Sequence, residues 1–375
     1  LTSRRTSGVQ QPTSNSGPNL AMYIPTTTHV LPLVTIRRDR TLPRPGEVMV
    51  QEGDRIEATT IVARAGSVAR HYIYDLTQRL QVPAADVEKY VKVPPGEIVE
   101  KGDPLAVRPI TLGLSKLQVV APANGIMVDV INGRLLFAVS GLDVELRAGF
   151  AGVVASISPD HGVTLETSGA LVQGVWGSGR LGYGIMRTMT AAPDQPIETA
   201  TLDERSKGMI LVGGTADQKS LRVAETVKVR GMILGSIPAS LIPTTRALSY
   251  PVVITESFGG GPMNETAWTL LSSHDGREAM LDGRSADRWS GRRPELVIPL
   301  PSPGSPPMPT DGAPLVVGRR VRVLRPPHPG AVGIIQQLLE RPHTLPSGAQ
   351  LPVAYVEMEG LGTGLVPLAN LEVFE

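Results

Sequence analysis

The chain contains no cysteine. Disulfides, thiolate nucleophiles, iron–sulfur clusters and cysteine-based zinc sites are therefore excluded together. Its six histidines (His29, His71, His161, His274, His328 and His343) are scattered, with no pair at the i, i+4 spacing of a metal site. A metal enzyme is not expected, and no cofactor is. Aromatic residues make up only 4% of the chain, so Val, Leu, Ile and Ala must fill the core. No apolar run reaches the roughly 18 residues that span a bilayer. Lys and Arg number 36 against 35 Asp and Glu, a net charge of +1. That balance excludes attachment to nucleic acid or anionic lipid by overall charge. Residues 1–20 are polar, carry Arg4 and Arg5, and lack the apolar stretch of a secretory signal. A cytoplasmic protein with a disordered or extended tail over residues 1–30 is expected.

Glycine and proline are plentiful. With 40 Gly and 34 Pro in 375 residues, about one residue in five interrupts regular backbone. Such a composition disfavours a helical bundle and favours short strands joined by tight turns. Residues 31–66 alternate as strands do, with Leu31, Leu33 and Thr35 on one face, and Val48 and Val50 on one face of the next strand. Tyr72, Leu76 and Leu80 stand four apart, which predicts a helical interlude over roughly 68–90, with Pro83 in the first turn of a second short helix. The strand pattern then returns from Val91 to about Met186.

This strand-rich region contains a repeat. Pro45-Gly46-Glu47-Val48 followed by Glu52-Gly53-Asp54 parallels Pro95-Gly96-Glu97-Ile98 followed by Lys101-Gly102-Asp103. Ala123-Asn124-Gly125-Ile126 and Phe150-Ala151-Gly152-Val153 form a second pair, each with Gly before an apolar strand start. Sharp corners that need φ > 0 account for such glycines. The segment 93–105, with Val120-Ala121-Pro122-Ala123-Asn124-Gly125-Ile126-Met127, resembles the two halves of a barrel-sandwich hybrid, the fold of biotinyl and lipoyl carrier domains and their non-carrier relatives. In carriers the hairpin between the halves presents a modified lysine, usually between methionines. Here Lys116 is the only lysine of 110–117, displaced toward the second half and without a flanking Met, so a surface lysine on a hairpin is the simpler reading.

Residues 207–283 change period. Apolar runs at 209–212, 231–234 and 251–254 alternate with helical patterns at 221–229 and 264–273, which implies a small parallel α/β unit of three or four strands. A proline-dense stretch over 299–315 reads as a semi-rigid linker. Beyond it, the segments 317–324 and 330–335 resemble a KOW motif, and the end Val366-Pro367-Leu368-Ala369-Asn370-Leu371 is similar to the close of an SH3-like barrel. KOW modules in ribosomal proteins and transcription factors touch RNA, the ribosome or polymerase. The expected organisation is a multidomain, mainly β chain with one small α/β unit. Its parts are a tail (1–30), a barrel-sandwich-hybrid β region (31–186), the α/β unit (187–298), the linker (299–315) and a KOW/SH3-like barrel (316–375).

Two candidate sites follow. Ligands of open parallel sheets collect beyond the carboxyl ends of the strands. Here those ends carry Gly213, Gly214 and Thr215, then Ser236, then Glu256 with Gly259 and Gly260. Gly-rich turns entering a helix expose N–H groups to an anion, yet Thr215 and Asp217 serve equally as helix caps, and neither stretch is a P-loop or GxGxxG. Glu256 pairing with His274 or Asp275 would make an active site; a helix end stopped at Gly276 is the plainer reading of 274–278. In the KOW-like segment Arg319, Arg320, Arg322 and Arg325 offer phosphate contacts. Against that, residues 316–375 hold five Arg and no Lys beside five Glu, and few aromatics for base stacking. Fused small barrels without evident catalytic residues point to a non-enzymatic scaffold or assembly protein with protein partners, a second copy of this chain first among them. The alternatives are a transcription- or translation-associated factor, and a ligand-binding protein or enzyme using the crest loops.

Overall fold

The computed structural model describes residues 25–66, 70–110, 115–139, 144–287 and 291–375. Strand accounts for 46% of the chain and helix for 15%, so the mainly β reading holds and the helices are left as fittings on sheets. Among the described residues no helix is long and apolar enough to cross a membrane.

An eleven-stranded mixed sheet is the backbone of the molecule. Four of its strands run parallel and side by side: Leu181–Thr188, Met209–Gly213, Gly231–Ile237 and Val252–Phe258. The apolar runs of the last three are nearly continuous because both faces are covered. On one face Leu211, Met232, Leu234, Val252 and Ile254 pack with helix residues Leu221 and Ala224. On the other, Ile210, Val212, Ile233 and Val253 pack with Trp268 and Leu271 of a second helix, and with Val332 and Phe374 of the C-terminal module. The helices form over Gln218–Val227 and Glu265–Ser273, with Asp217 and Asn264 as side-chain N-caps.

The sheet continues past the position expected to divide two domains. Strand Leu181–Thr188 pairs with Glu278–Asp282, which pairs with Glu295–Pro299, which pairs with the twelve-residue strand Gly162–Gln173. The β region before 186 and the α/β unit after it thus share one hydrogen-bonded ladder. Strand Val30–Thr41 pairs along nearly all of Gly162–Gln173. Its core-facing residues are Val34 and Ile36, while Leu33, on the alternate face with Leu31 and Thr35, is exposed. The tail is ordered sooner than expected: Thr27–Thr28 adds a parallel strand to Val373–Phe374, and Val30 is in the core. The proline-dense stretch is tied down as well, since the Thr35 N–H and hydroxyl donate to the carbonyls of Pro307 and Pro306 at 3.1 and 2.5 Å.

Residues 66–143 leave and re-enter the molecule between paired strands, because Ala65 stands opposite Val144. Within this insertion a four-stranded sheet has the order Arg70–Asp75, Arg134–Val139, Gly125–Ile131, Ile98–Val99, and Pro104–Ile110 pairs with Ser115–Val120 as a hairpin. It has a core of its own around Leu76, Leu80, Met127, Leu135 and Phe137. The expected helical interlude begins later than its spacing implied. Tyr72 lies on a strand, and only Leu76–Leu80 is α-helical, followed by a 3-10 turn over Ala84–Tyr90 with Pro83 at its N-cap. His71-Tyr72-Ile73-Tyr74 favours strand, and its ladder partner 134–139 satisfies it there.

Candidate functional site

The crest of the parallel strands is assembled as expected, but it closes upon itself. Gly213 and Gly214 are buried, and a Cβ at Gly214 would meet the Pro193 carbonyl oxygen at 2.5 Å. Thr215 donates its N–H to the Gln195 carbonyl and accepts from the Ile197 N–H, so the segment 193–197 lies over the strand ends. Ser236 is fully buried, and its hydroxyl donates to the Gly261 carbonyl at 2.7 Å. Gly259 and Gly260 form an exposed turn with φ of +146° and +144°, a backbone that favours glycine. The Ser236 hydroxyl and the N–H groups of Gly214, Thr215 and Gly259 are thus taken up by the chain's own backbone carbonyls.

Glu256 goes elsewhere. Its Oε1 accepts from the Asn264 N–H and side-chain amide, which sets the start of helix Glu265–Ser273. Its Oε2 accepts from Arg322 Nη1 at 2.9 Å. His274 and Asp275 do not reach it: His274 Nδ1 lies 2.8 Å from the Leu270 carbonyl, and Asp275 Oδ1 accepts from the Thr188 N–H. One residue from each sequence-derived candidate site therefore meets the other in an ion pair.

Arg322 is 1% exposed. Its Nε donates to Glu372 Oε1 at 2.6 Å, its Nη1 also reaches the Thr255 carbonyl, and the Phe374 ring lies under its guanidinium. Arg293 and Thr28 complete the group on Glu372. Burial by itself pushes the Arg322 pKa down, and the two glutamates outweigh it, so the guanidinium stays above its ordinary value. Arg322 is therefore not available to a phosphate; it fastens the C-terminal module to the parallel sheet. The remaining arginines of that cluster are divided. Arg319 pairs with Glu375, Arg320 pairs with Glu359 and donates to Thr266, and Arg325 stands exposed. Lys116 is exposed on the hairpin strand opposite Pro109; its neighbours 111–114 lie outside the described residues. Among the described residues no group of three or more His, Asp or Glu is placed to hold a metal ion.

The insertion presents a different kind of surface. Ladder pairs Ile98–Ile126 and Leu136–Ile73 set these side chains on one face, opposite the buried Val99, Met127 and Phe137. Ile98 is 75% exposed and Ile73 69%. Strand Arg70–Asp75 ends its sheet, so one side of its backbone lies outside the ladder.

Sequence reasoning missed one concave feature, a polar cleft of about 490 Å³ beside strand Val30–Thr41. Six arginines line it, from the run Arg37-Arg38-Asp39-Arg40 and from 284–293. The signal was present as that basic run inside a strand, where alternation alone accounts for only half the charges. No protein-family model matches the chain, and no curated protein matches it.

Proposed function

We propose that the protein is a non-enzymatic assembly protein whose inserted module, residues 70–139, docks on protein partners, a second copy of this chain first among them. We read that module as a non-carrier barrel-sandwich hybrid and residues 316–375 as a KOW-type SH3-like barrel used for intrachain packing. The observation that carries the proposal is the outward face with Ile73, Ile98 and Ile126, on a sheet whose edge strand Arg70–Asp75 has no further strand beside it among the described residues. An exposed apolar face of this kind is a docking feature in soluble proteins, and an open edge adds main-chain pairing to it. The closed crest supports the non-enzymatic part of the reading, since Ser236 and Glu256 are committed to structural hydrogen bonds. The packing role of the C-terminal module is supported by Arg322, which a nucleic-acid reading needs at the surface.

Sedimentation equilibrium of the full chain, wild type beside Ile73→Asp/Ile98→Asp, tests the proposal. Fully burying an isoleucine contributes about 1.5–3 kcal/mol, so each replacement weakens association about tenfold or more. The expected result is a self-associating wild type and a monomeric, normally folded variant. A wild type that stays monomeric at high micromolar concentration would overturn self-assembly.

A further inference from the structure

The arginine cleft has a charge pattern that internal pairing does not exhaust. Four of its six guanidiniums are paired with carboxylates: Arg38 with Glu295 at 2.5 and 2.6 Å, Arg284 with Asp282, Arg37 with Glu166 and Arg293 with Glu372. Arg40 is different. It is 3% exposed, donates from Nε to the Ala148 carbonyl at 2.7 Å, and lays its guanidinium over the Phe150 ring at 5.3 Å. Nη2 meets only the sulfur of Met280. No carboxylate lies within ion-pair distance of it among the described residues. Burial pushes its pKa down to about 10, with Asp282 and Glu295 opposing and Arg284 and Arg38 adding to the fall, so the side chain is still charged at neutral pH. A buried cation with no carboxylate in direct contact is costly.

A buried histidine lines the same cleft. His29 is 1% exposed, its Nε2 lies 3.1 Å from Asp311, and its Nδ1, without a hydrogen bond, faces Glu375 Oε2 at 3.7 Å. Arg37 and Arg292 stand at the rim, exposed; Arg37 pairs with Glu166, and Arg292 donates from Nε to the Ser285 carbonyl. Glu166 and Glu372, just outside the lining, pair with Arg37 and Arg293, so Arg40 and Arg292 are the lining arginines left without an ion pair among the described residues. A space of about 490 Å³ is in the range of small-molecule sites.

We propose that this cleft binds a small organic molecule through a phosphoryl group seated at Arg40. A phosphoryl group suits it better than a carboxylate for a geometric reason. The two arginines without an ion pair arrive from separate segments, Arg40 from the strand and Arg292 from the segment 291–293. Three tetrahedrally disposed oxygens accept from donors that arrive along different directions, whereas the oxygens of one carboxylate group accept close to a single plane.

The test is calorimetric titration of the full chain at fixed ionic strength with inorganic phosphate, ribose 5-phosphate and malonate, backed by thermal melts. The wild type is expected to bind ribose 5-phosphate at one site, with phosphate weaker and malonate weakest. Arg40→Met keeps the packing on Phe150 and removes the charge; it is expected to abolish binding while raising the melting temperature of the free protein. Arg292→Gln, at the rim, is expected to weaken binding about tenfold with no change in that temperature, so the proposal stays testable if the first variant misfolds. Absence of binding by either phosphate, equal binding by wild type and Arg292→Gln, or a preference for malonate would each overturn it.

Discussion

Arg322, Glu256 and Glu372 form a buried ionic group whose members come from two modules. Removing one partner leaves an uncompensated charge in the interior, a loss of about 3–5 kcal/mol. Arg322→Ala is therefore expected to lower the unfolding free energy by that amount in urea titration. The combined change Arg322→Met/Glu256→Gln/Glu372→Gln, which removes the charges together, is expected to cost markedly less. The helix cap at Asp217 is a smaller case. Its carboxylate accepts from the Ser220 hydroxyl and N–H, and these bonds hold its pKa below the usual carboxylate range. A depressed pKa stabilises the fold above the unfolded value, near 3.9, and that contribution disappears as pH falls through the folded value. Asp217→Ala should then cost about 1 kcal/mol at neutral pH, and its difference from wild type should shrink in acid, which melts between pH 2 and 7 will measure. Residue chemistry was legible where it was local. Asp217 as a cap and Gly276 as a helix stop, with φ of +78°, follow from neighbours in sequence. The Arg322–Glu256 pair joins positions 66 apart, and nothing in either neighbourhood announces it.

At the scale of elements, three of the four parallel strands and two of the three α-helices of the α/β unit could be read from their apolar periods, because each is buried on both sides or along one stripe. The error at 68–90 arose where three positions four apart fitted a helix while the residues between them favoured a strand. The repeat glycines were located correctly but for a different reason at three of them. A Cβ at Gly46, Gly125 or Gly152 would meet a carbonyl oxygen of the neighbouring strand at 2.3 Å. Close approach of backbone, with no left-handed φ, is what requires glycine there. Ala65 and Val144 are ladder partners, and the core of the insertion draws only on residues 76–139 and their immediate flanks. Replacing 66–143 by a short Asn-Gly turn should leave a cooperatively folding protein with its sheet intact. Circular dichroism and a single sharp melt would show this; a molten product would mean that the insertion supports the main sheet.

For the whole molecule, the expected chain of beads gives way to one large sheet with attachments. The boundary placed at 186 cut a ladder, because the antiparallel strands Glu278–Asp282 and Glu295–Pro299 return from far along the chain to lie between earlier ones. Long-range pairing of that kind leaves no local mark. The proline-dense stretch looked like a tether because composition reports stiffness, not where a stiff segment lies down. With the C-terminal module fastened by Arg322, the insertion carries the two most exposed isoleucines among the described residues, Ile98 and Ile73, and is the part proposed to dock. Hydrogen–deuterium exchange at low and high protein concentration tests that claim most directly. The account predicts added protection at high concentration over residues 70–75, 98–99 and 125–131, with 320–374 unchanged. Added protection confined to 320–374, or none anywhere, would contradict it.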